Sequence, residues 1–187
     1  PAIQRSSDPA MMEAHNRARD TFRYFSRELS WEARRIIPGL DLACVKVAFT
    51  DGDTTREGPS HEHMWIGDVS FDGKQVSGTL MNSPSWLTNV NEGDNVKTTI
   101  AELGDWMFAV QRKVYGAFTV HLMRSRMSNA ERQAHDGAWG LDFGDPDTID
   151  FVYEGPKQKK QNLWGGCSVL NQSQPMTPEV RHLWNIR

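Results

Sequence analysis

The chain has 187 residues, of which 38% are hydrophobic and 24% are charged, a balance typical of a folded globular protein that excludes a disordered chain. The formal net charge of −3 is too small to indicate a protein that binds nucleic acid or a membrane surface. Cys44 and Cys167 lack the CxxC spacing of a zinc site, and we expect two buried thiols in a reducing compartment.

The N-terminal stretch PAIQRSSDPAMMEAHNRARD shows no apolar core of signal-peptide length before its first charges. No later window approaches the roughly 20 apolar residues that a membrane span requires. We therefore expect a cytoplasmic protein that does not enter a membrane.

Residues 8–30 are predicted to form one amphipathic helix. Ser7 or Asp8 can cap it, and Pro9 fits its first turn, where the missing N–H has no cost. Apolar residues recur at steps of three and four and so form one stripe, with Glu28 and the arginines mostly outside it. The stripe consists of Met11, Ala14, Ala18, Phe22, Phe25 and Leu29.

From Leu42 onward the pattern changes to that of β-strands. LACVKVAFT is a β-rich run, and MWIGDVSF and KQVSGTLM predict a hairpin closed by a two-residue type I′ turn at Asp72-Gly73. Alternation on the first arm of the hairpin predicts one shared face. That face would carry Trp65, Gly67, Val69 and Phe71.

Three further strands are predicted at NVKTTIAEL, WMFAVQR and AFTVHLM, linked by tight joints at Gly104 and Gly116. Consecutive strands with short connections predict an antiparallel sheet and argue against βαβ units. With the long N-terminal helix covering one face of this sheet, the predicted fold class is α+β.

The last third of the chain is predicted to be an extension of short helices and loops. Ser128 and Glu131 match a capping box, which begins a short helix that runs to about Ala138. Thr177 caps a final short helix. We treat residues 1–187 as a single domain, in which residues 125–187 pack on the helix and sheet of residues 1–124.

His61 and His63 are the candidate metal ligands. Residues two apart on a strand share a face, so both imidazoles could reach one ion. Zinc would need a third protein ligand, for which His121, Glu102 and Asp105 are available. The alternative is an ordinary half-buried strand without metal.

Other catalytic signatures are missing from the sequence. It has no GxSxG elbow, no P-loop and no GxGxxG after a strand. Cys167, in WGGCS, is predicted to be structural and not a nucleophile. We therefore predict no catalytic residues, no cofactor and a protein that is not an enzyme.

Aromatic and acidic residues in predicted loops are the candidates for contacts with a partner. Tryptophans anchor many interfaces, although these rings could instead hold the C-terminal extension on the sheet. Residues 142–154 carry carboxylates without any lysine or arginine, a pattern of a solvated loop or of a patch that attracts a basic partner. The candidate contact residues are Trp86, Trp139, Asp142, Asp145, Asp147, Asp150 and Glu154.

A series of short motifs gives the chain a family resemblance. EHMWIG, SGTLMNSP, GDWMF and YGAFTVHLM follow one another in this order, and the ensemble resembles the YegJ-like bacterial family, a domain of unknown function numbered 2314. The resemblance supplies no catalytic residues to carry over, and most matching positions suit structural roles. They are Glu62, His63, Trp65, Asn82, Pro84, Asp105, Trp106 and Gly116.

The resemblance also implies a context. Members of this kind occur beside toxin genes in interbacterial competition, including type VI secretion, which is the setting of immunity proteins. We therefore predict an immunity protein that occludes the active site of a cognate toxin, such as a nuclease. The alternatives are a metal-dependent hydrolase that uses His61 and His63, with Glu62 or Asp105 as base, and a structural protein.

Overall fold

A computed structural model describes residues 8–52 and 61–155. The predicted final helix at Thr177 and the thiol of Cys167 lie outside these residues. The described elements, in chain order, are α1 (Pro9–Glu32), β1 (Leu42–Phe49), β2 (Glu62–Phe71), β3 (Gln75–Leu80), β4 (Asn95–Thr99), a 3₁₀ turn (Ile100–Glu102), β5 (Leu103–Val110), β6 (Lys113–Gly116), α2 (Phe118–Ser125) and α3 (Asn129–Trp139).

The six strands form one sheet in the order β4-β3-β2-β1-β5-β6. Every neighbouring pair is antiparallel, which confirms the predicted α+β class. Side chains alternate between the two faces of a strand, and the core divides accordingly. Val45, Ile66 and Trp106 pack with α1, whereas their chain neighbours Cys44, Trp65 and Met107 pack with Trp139 of α3 and with Phe143. The sheet therefore lies between α1 on one face and Trp139 of α3 with Phe143 on the other.

Helix α1 forms where the sequence predicts it. Its cap is Asp8, whose carboxylate accepts a hydrogen bond from the N–H of Ala10 at 3.0 Å. Ala14, Ala18, Phe22 and Phe25 are buried as the apolar stripe predicts. Glu28 was placed outside the stripe, but its side chain is fully buried and is paired with Arg27 at 2.9 Å.

The β2–β3 hairpin forms, but two details of its prediction were wrong. Within its connection only Gly73 has a positive φ, so the turn is not type I′; the Asp72 carboxylate closes it by accepting from the N–H groups of Lys74 and Gln75. A bulge interrupts the pairing between Gly67 and Ser70, with Asp68 at a φ of 49°. Because a bulge shifts the alternation by one residue, Val69 and Phe71 join the α1 side while Trp65 faces the opposite side.

The predicted strand AFTVHLM is instead helix α2. Gly116 and Ala117 both have positive φ and turn the chain at the end of β6. Gly104 is not a joint between strands: the 3₁₀ turn Ile100–Glu102 connects β4 to β5, and Gly104 lies inside β5, at a register shift opposite Lys46 and Val47.

Helix α3 confirms the capping box. The hydroxyl of Ser128 accepts from the N–H of Glu131 at 3.3 Å, and the Glu131 carboxylate accepts from the N–H of Ser128 at 2.7 Å. The helix includes Trp139, which was predicted to lie in a loop and is only 8% exposed.

Candidate functional site

Asp105 is a buried carboxylate that holds the start of α2. Its Oδ1 accepts from the N–H groups of Trp106 and Phe118, and its Oδ2 accepts from the N–H and the hydroxyl of Thr119 at 2.7 and 2.6 Å. Burial raises the pKa of Asp105, and hydrogen bonding from Thr119 and the charge of Lys46 oppose this shift. Because four donors already occupy both oxygens, Asp105 works as a remote helix cap and is not available as a base or metal ligand.

Trp106 and Gly116 form a second structural joint. The indole Nε1 of Trp106 donates to the carbonyl of Ala18 at 2.8 Å and so fixes α1 on the sheet. Gly116 lies against the Trp106 ring, where an added Cβ would come 2.5 Å from Cε3 and Cζ3. Only a residue without a side chain permits this approach, so both positions have packing roles.

Glu62, Asn82 and Pro84 connect β2 to the segment that follows β3. The buried Asn82 amide oxygen accepts from the N–H of Trp65 at 2.9 Å, and Glu62 Oε1 accepts from the N–H of Ser85 at 2.7 Å. Pro84, which lies between Asn82 and Ser85 in the chain, is half-buried. These contacts position the segment that carries Trp86 against the cluster of Met64, Leu80 and Leu87.

His63 differs from the other motif residues because its ring lies in a cluster of nitrogen-bearing side chains. The ring lies 5.2 Å from that of His15 on α1, centroid to centroid, and packs over Gly104, where an added Cβ would come 3.1 Å from Cδ2 of His63. Lys46 pairs with Trp65 across β1 and β2, and so lies on the same face of the sheet as His63, two residues before Trp65. The Nζ of Lys46 lies 5.6 Å from the Trp65 ring centroid. His15, Lys46 and His63 are called the His–Lys cluster below.

Electrostatics in the His–Lys cluster favour neutral imidazoles. His15 is half-buried, and His63 is exposed but its ring packs against His15 and Gly104. Desolvation, followed by the charge of Lys46, lowers the pKa of both to about 4. Desolvation also lowers the pKa of Lys46, opposed by the charge of Asp105. At neutral pH both imidazoles of the cluster are therefore neutral, next to the side chain of Lys46.

The metal hypothesis lacks its third ligand in the described part of the chain. His61 precedes β2 and is exposed, and the ring that contacts His63 is that of His15. His121, a predicted third ligand, lies on α2 with a ring 6.3 Å from that of Phe143. Across residues 8–52 and 61–155, no three His, Cys, Asp or Glu side chains are grouped so as to hold a metal.

Residues 142–154, here called the acidic arm, run along the outer edge of β6. The N–H of Val114 donates to the carbonyl of Asp142 at 2.9 Å, and the N–H of Gly116 donates to that of Asp150 at 2.7 Å. Phe143 is buried, and Ile149, Phe151 and Tyr153 pack against the core. The arm is thus anchored along its length.

The acidic side chains of the arm point to its surface. All five predicted carboxylates are exposed. Asp150 pairs with Lys113 at 2.6 Å, whereas Asp145, Asp147 and Glu154 form no ion pair with any residue that the structure describes. Of the two tryptophans predicted to contact a partner, Trp86 is half-buried and Trp139 is buried in the core.

A cleft of about 520 Å³ lies between α3 and the acidic arm. Asp145 and Asp147 line one part of it, and Arg132 and Asp136 line another. Arg124, at 3% side-chain exposure, also lines the cleft and makes a bidentate pair with Asp136 at 2.9 and 2.7 Å. Its Nη1 is buried without a hydrogen-bond partner among the described residues.

Comparison with known proteins identifies the family. The profile described as "Uncharacterized protein conserved in bacteria (DUF2314)" matches residues 8–143. The chain belongs to the DUF2314 family. A putative ankyrin repeat protein of Neisseria meningitidis serogroup B is 49% identical over 158 residues, which are 84% of this chain and 61% of that protein. The uncharacterized protein YegJ of Escherichia coli is 32% identical over 80 residues, 43% of this chain and 48% of YegJ.

This DUF2314 chain spans less than two thirds of the length of either relative. No solved structure matches it. No helix in residues 8–52 or 61–155 is long and apolar enough to cross a membrane.

The DUF2314 match ends at residue 143, so the motif residues lie inside it and most of the acidic arm lies beyond it. Sequence reasoning found His63 but missed His15, Lys46 and Arg124. A signal for Lys46 was present, since it is the one charged residue in the apolar run LACVKVAF. The sequence around His15 and Arg124 carries no such signal, because the residues that they contact belong to other helices and strands.

Proposed function

We propose that this chain is a non-catalytic immunity protein, which binds a cognate toxin of a bacterial type VI secretion system and occludes its active site. The observation that carries the proposal is the acidic arm, whose exposed carboxylates stand on a backbone tied to the edge of β6. An anchored segment loses little conformational freedom on binding, which favours affinity.

The charge of the arm favours a basic partner. Asp145, Asp147 and Glu154 are exposed and have no cationic partner in the described ranges. Clustered charge of one sign steers an oppositely charged protein during diffusional encounter. A toxin with a basic active-site surface, such as a nuclease, has the complementary charge.

The cleft beside the arm suits a projecting loop of that partner. Asp145 and Asp147 offer acceptors to an arginine or lysine side chain of the partner. An interface of standard size would bury roughly 800 Å² on each partner, which is larger than the cleft alone and would extend along the arm.

The Neisseria relative supports a role in protein binding. It is named a putative ankyrin repeat protein, and ankyrin arrays form extended binding surfaces. A DUF2314 segment that occurs in the same protein as ankyrin repeats is consistent with a role of the segment in binding other proteins.

The test is co-expression with the effector encoded beside the gene for this chain. The effector should be toxic alone and harmless in the presence of this chain, and the two purified proteins should form a complex. Survival of cells that express the effector alone, or no complex in solution, would refute the immunity proposal.

A matched pair of variants tests the acidic arm. Asp147→Lys with Glu154→Lys removes two carboxylates that make no described hydrogen bond, and should lower the association rate constant by about tenfold or more at low salt. Glu13→Lys with Asp20→Lys makes the same charge change on the exposed side of α1 and serves as control. Equal association rates for the two variants would remove the arm from the interface.

A further inference from the structure

The His–Lys cluster brings three potential hydrogen-bond donors together without a matching acceptor among residues 8–52 and 61–155. Lys46 forms no ion pair and no hydrogen bond with any residue in the described ranges, and its ammonium lies near the Trp65 ring. The carboxylate with the largest influence on Lys46 is Asp105, whose two oxygens are already engaged by Trp106, Phe118 and Thr119.

The surroundings of the two imidazoles are cationic. Lys46 and Arg19 are the charged groups that lower the pKa of His15, and Lys46 is the first of the charged groups that lower the pKa of His63. Arg19 itself donates to the carbonyl of Leu103 at 2.9 Å. A negative charge placed among these side chains would be attracted by each of them.

The bulge in β5 contributes the space for this arrangement. Gly104 lies at the register shift, and its missing side chain lets the His63 ring pack over the strand toward His15. Bulges often re-aim side chains next to functional sites. Here the bulge brings a motif residue of β2 together with a residue of α1.

We propose that His15, Lys46 and His63 bind a small oxyanion, either a phosphate or a carboxylate group. The ammonium supplies a charge-assisted hydrogen bond, and each neutral imidazole supplies one N–H donor. This site is separate from the acidic arm and does not depend on the proposed immunity function.

Binding of an oxyanion would favour protonation of both rings. An opposite charge within hydrogen-bonding range stabilises the imidazolium form and raises the pKa. Because these rings are neutral at pH 7 when the site is empty, the bound complex would take up protons. Affinity would therefore increase as the pH falls from 7 toward 5.

The experiment follows the ring signals of His15 and His63 by NMR in the full chain, assigned with the variants His15→Gln and His63→Asn. Sodium phosphate and sodium acetate are titrated separately against sodium chloride at equal ionic strength. We expect saturable shifts of both rings and an increase of their pKa by roughly one unit or more. Saturation by phosphate alone or by acetate alone assigns the class of anion.

Lys46→Met should weaken the anion affinity by about tenfold or more, the loss of one charge-assisted hydrogen bond. Lys97→Met, on the exposed face of β4, is the matched control and should bind as wild type. If Lys46→Met does not fold, His63→Asn takes its place with the same expected loss. Shifts no larger than those in sodium chloride, or an unchanged affinity in the folded cluster variant, would overturn the proposal.

Discussion

At the scale of single residues, two glycines provide a matched test of close packing. Gly116 has a φ of +82°, and an added Cβ would lie 2.5 Å from the Trp106 ring. We therefore expect Gly116→Ala to lower the free energy of unfolding by about 3 kcal/mol or more, from strain and overpacking together. Gly137 in α3 has no atom within 4 Å of an added Cβ, so Gly137→Ala should stabilise by about 0.5–1 kcal/mol. Urea denaturation measures both, and a similar loss in the two variants would contradict the packing role of Gly116.

Single residues also show where sequence reasoning ends. The pairing of Ser128 with Glu131 was predictable, because a capping box lies within one turn of chain. The hydrogen bond between Asp105 and Thr119 was not, since 14 residues separate them and only the folded sheet brings them together. For the same reason the sequence suggested His61 as the companion of His63, whereas the ring in contact is that of His15.

At the scale of elements, α1 was predictable and α2 was not. Helix α1 has a cap, a first-turn proline and an apolar stripe, all of which agree. The residues of α2 include Thr119, Val120 and Phe118, which favour strands locally. Capping by the remote Asp105 and the turn at Gly116 outweigh that preference. Tertiary contacts of this kind leave no periodic signal in the sequence.

Helix α2 carries a histidine that should make stability depend on pH. Burial, followed by the charge of Arg124, lowers the pKa of His121 to about 4, from an ordinary value of 6.5. Between these values the unfolded chain binds more protons than the folded one, so stability is full above about pH 6.5 and falls as the pH drops toward 4. The loss due to His121 is about 2–4 kcal/mol.

The measurement is the free energy of unfolding at pH 6.5 and at pH 4 for wild type and His121→Gln. The variant should lose less stability over this interval, whatever its stability at pH 6.5. His15 and His63 shift in the same direction and will keep part of the pH dependence in the variant. An identical decline in both proteins would rule out the assigned role of His121.

The junction of α2 and α3 depends on the ion pair between Arg124 and Asp136. Arg124 is almost fully buried, so its loss leaves Asp136 without its bidentate partner. Arg124→Met should therefore cost about 2–4 kcal/mol of unfolding free energy. Arg126→Met removes an exposed arginine paired with Asp8 and should cost less than about 1 kcal/mol. Thermal or urea unfolding measures the stability of both variants. An equal loss of unfolding free energy in Arg124→Met and Arg126→Met would show that burial of the arginine does not determine the loss.

At the scale of the whole molecule, the prediction of a single domain can be tested through the coupling of α1 to the sheet. Trp106 donates to Ala18 of α1, and its neighbour Asp105 caps α2. Loss of α1 would uncover one face of the sheet and remove the contacts between α1 and α2, so we expect one cooperative transition in urea. Far-UV circular dichroism and tryptophan fluorescence should give superimposable curves.

Phe25→Ala, a fully buried position on α1, should shift both curves equally by about 3–5 kcal/mol. Met12→Ala, which is 56% exposed, should change either by less than about 0.5 kcal/mol. Separate midpoints for the two signals, with only one moved by Phe25→Ala, would divide the chain into independently unfolding units.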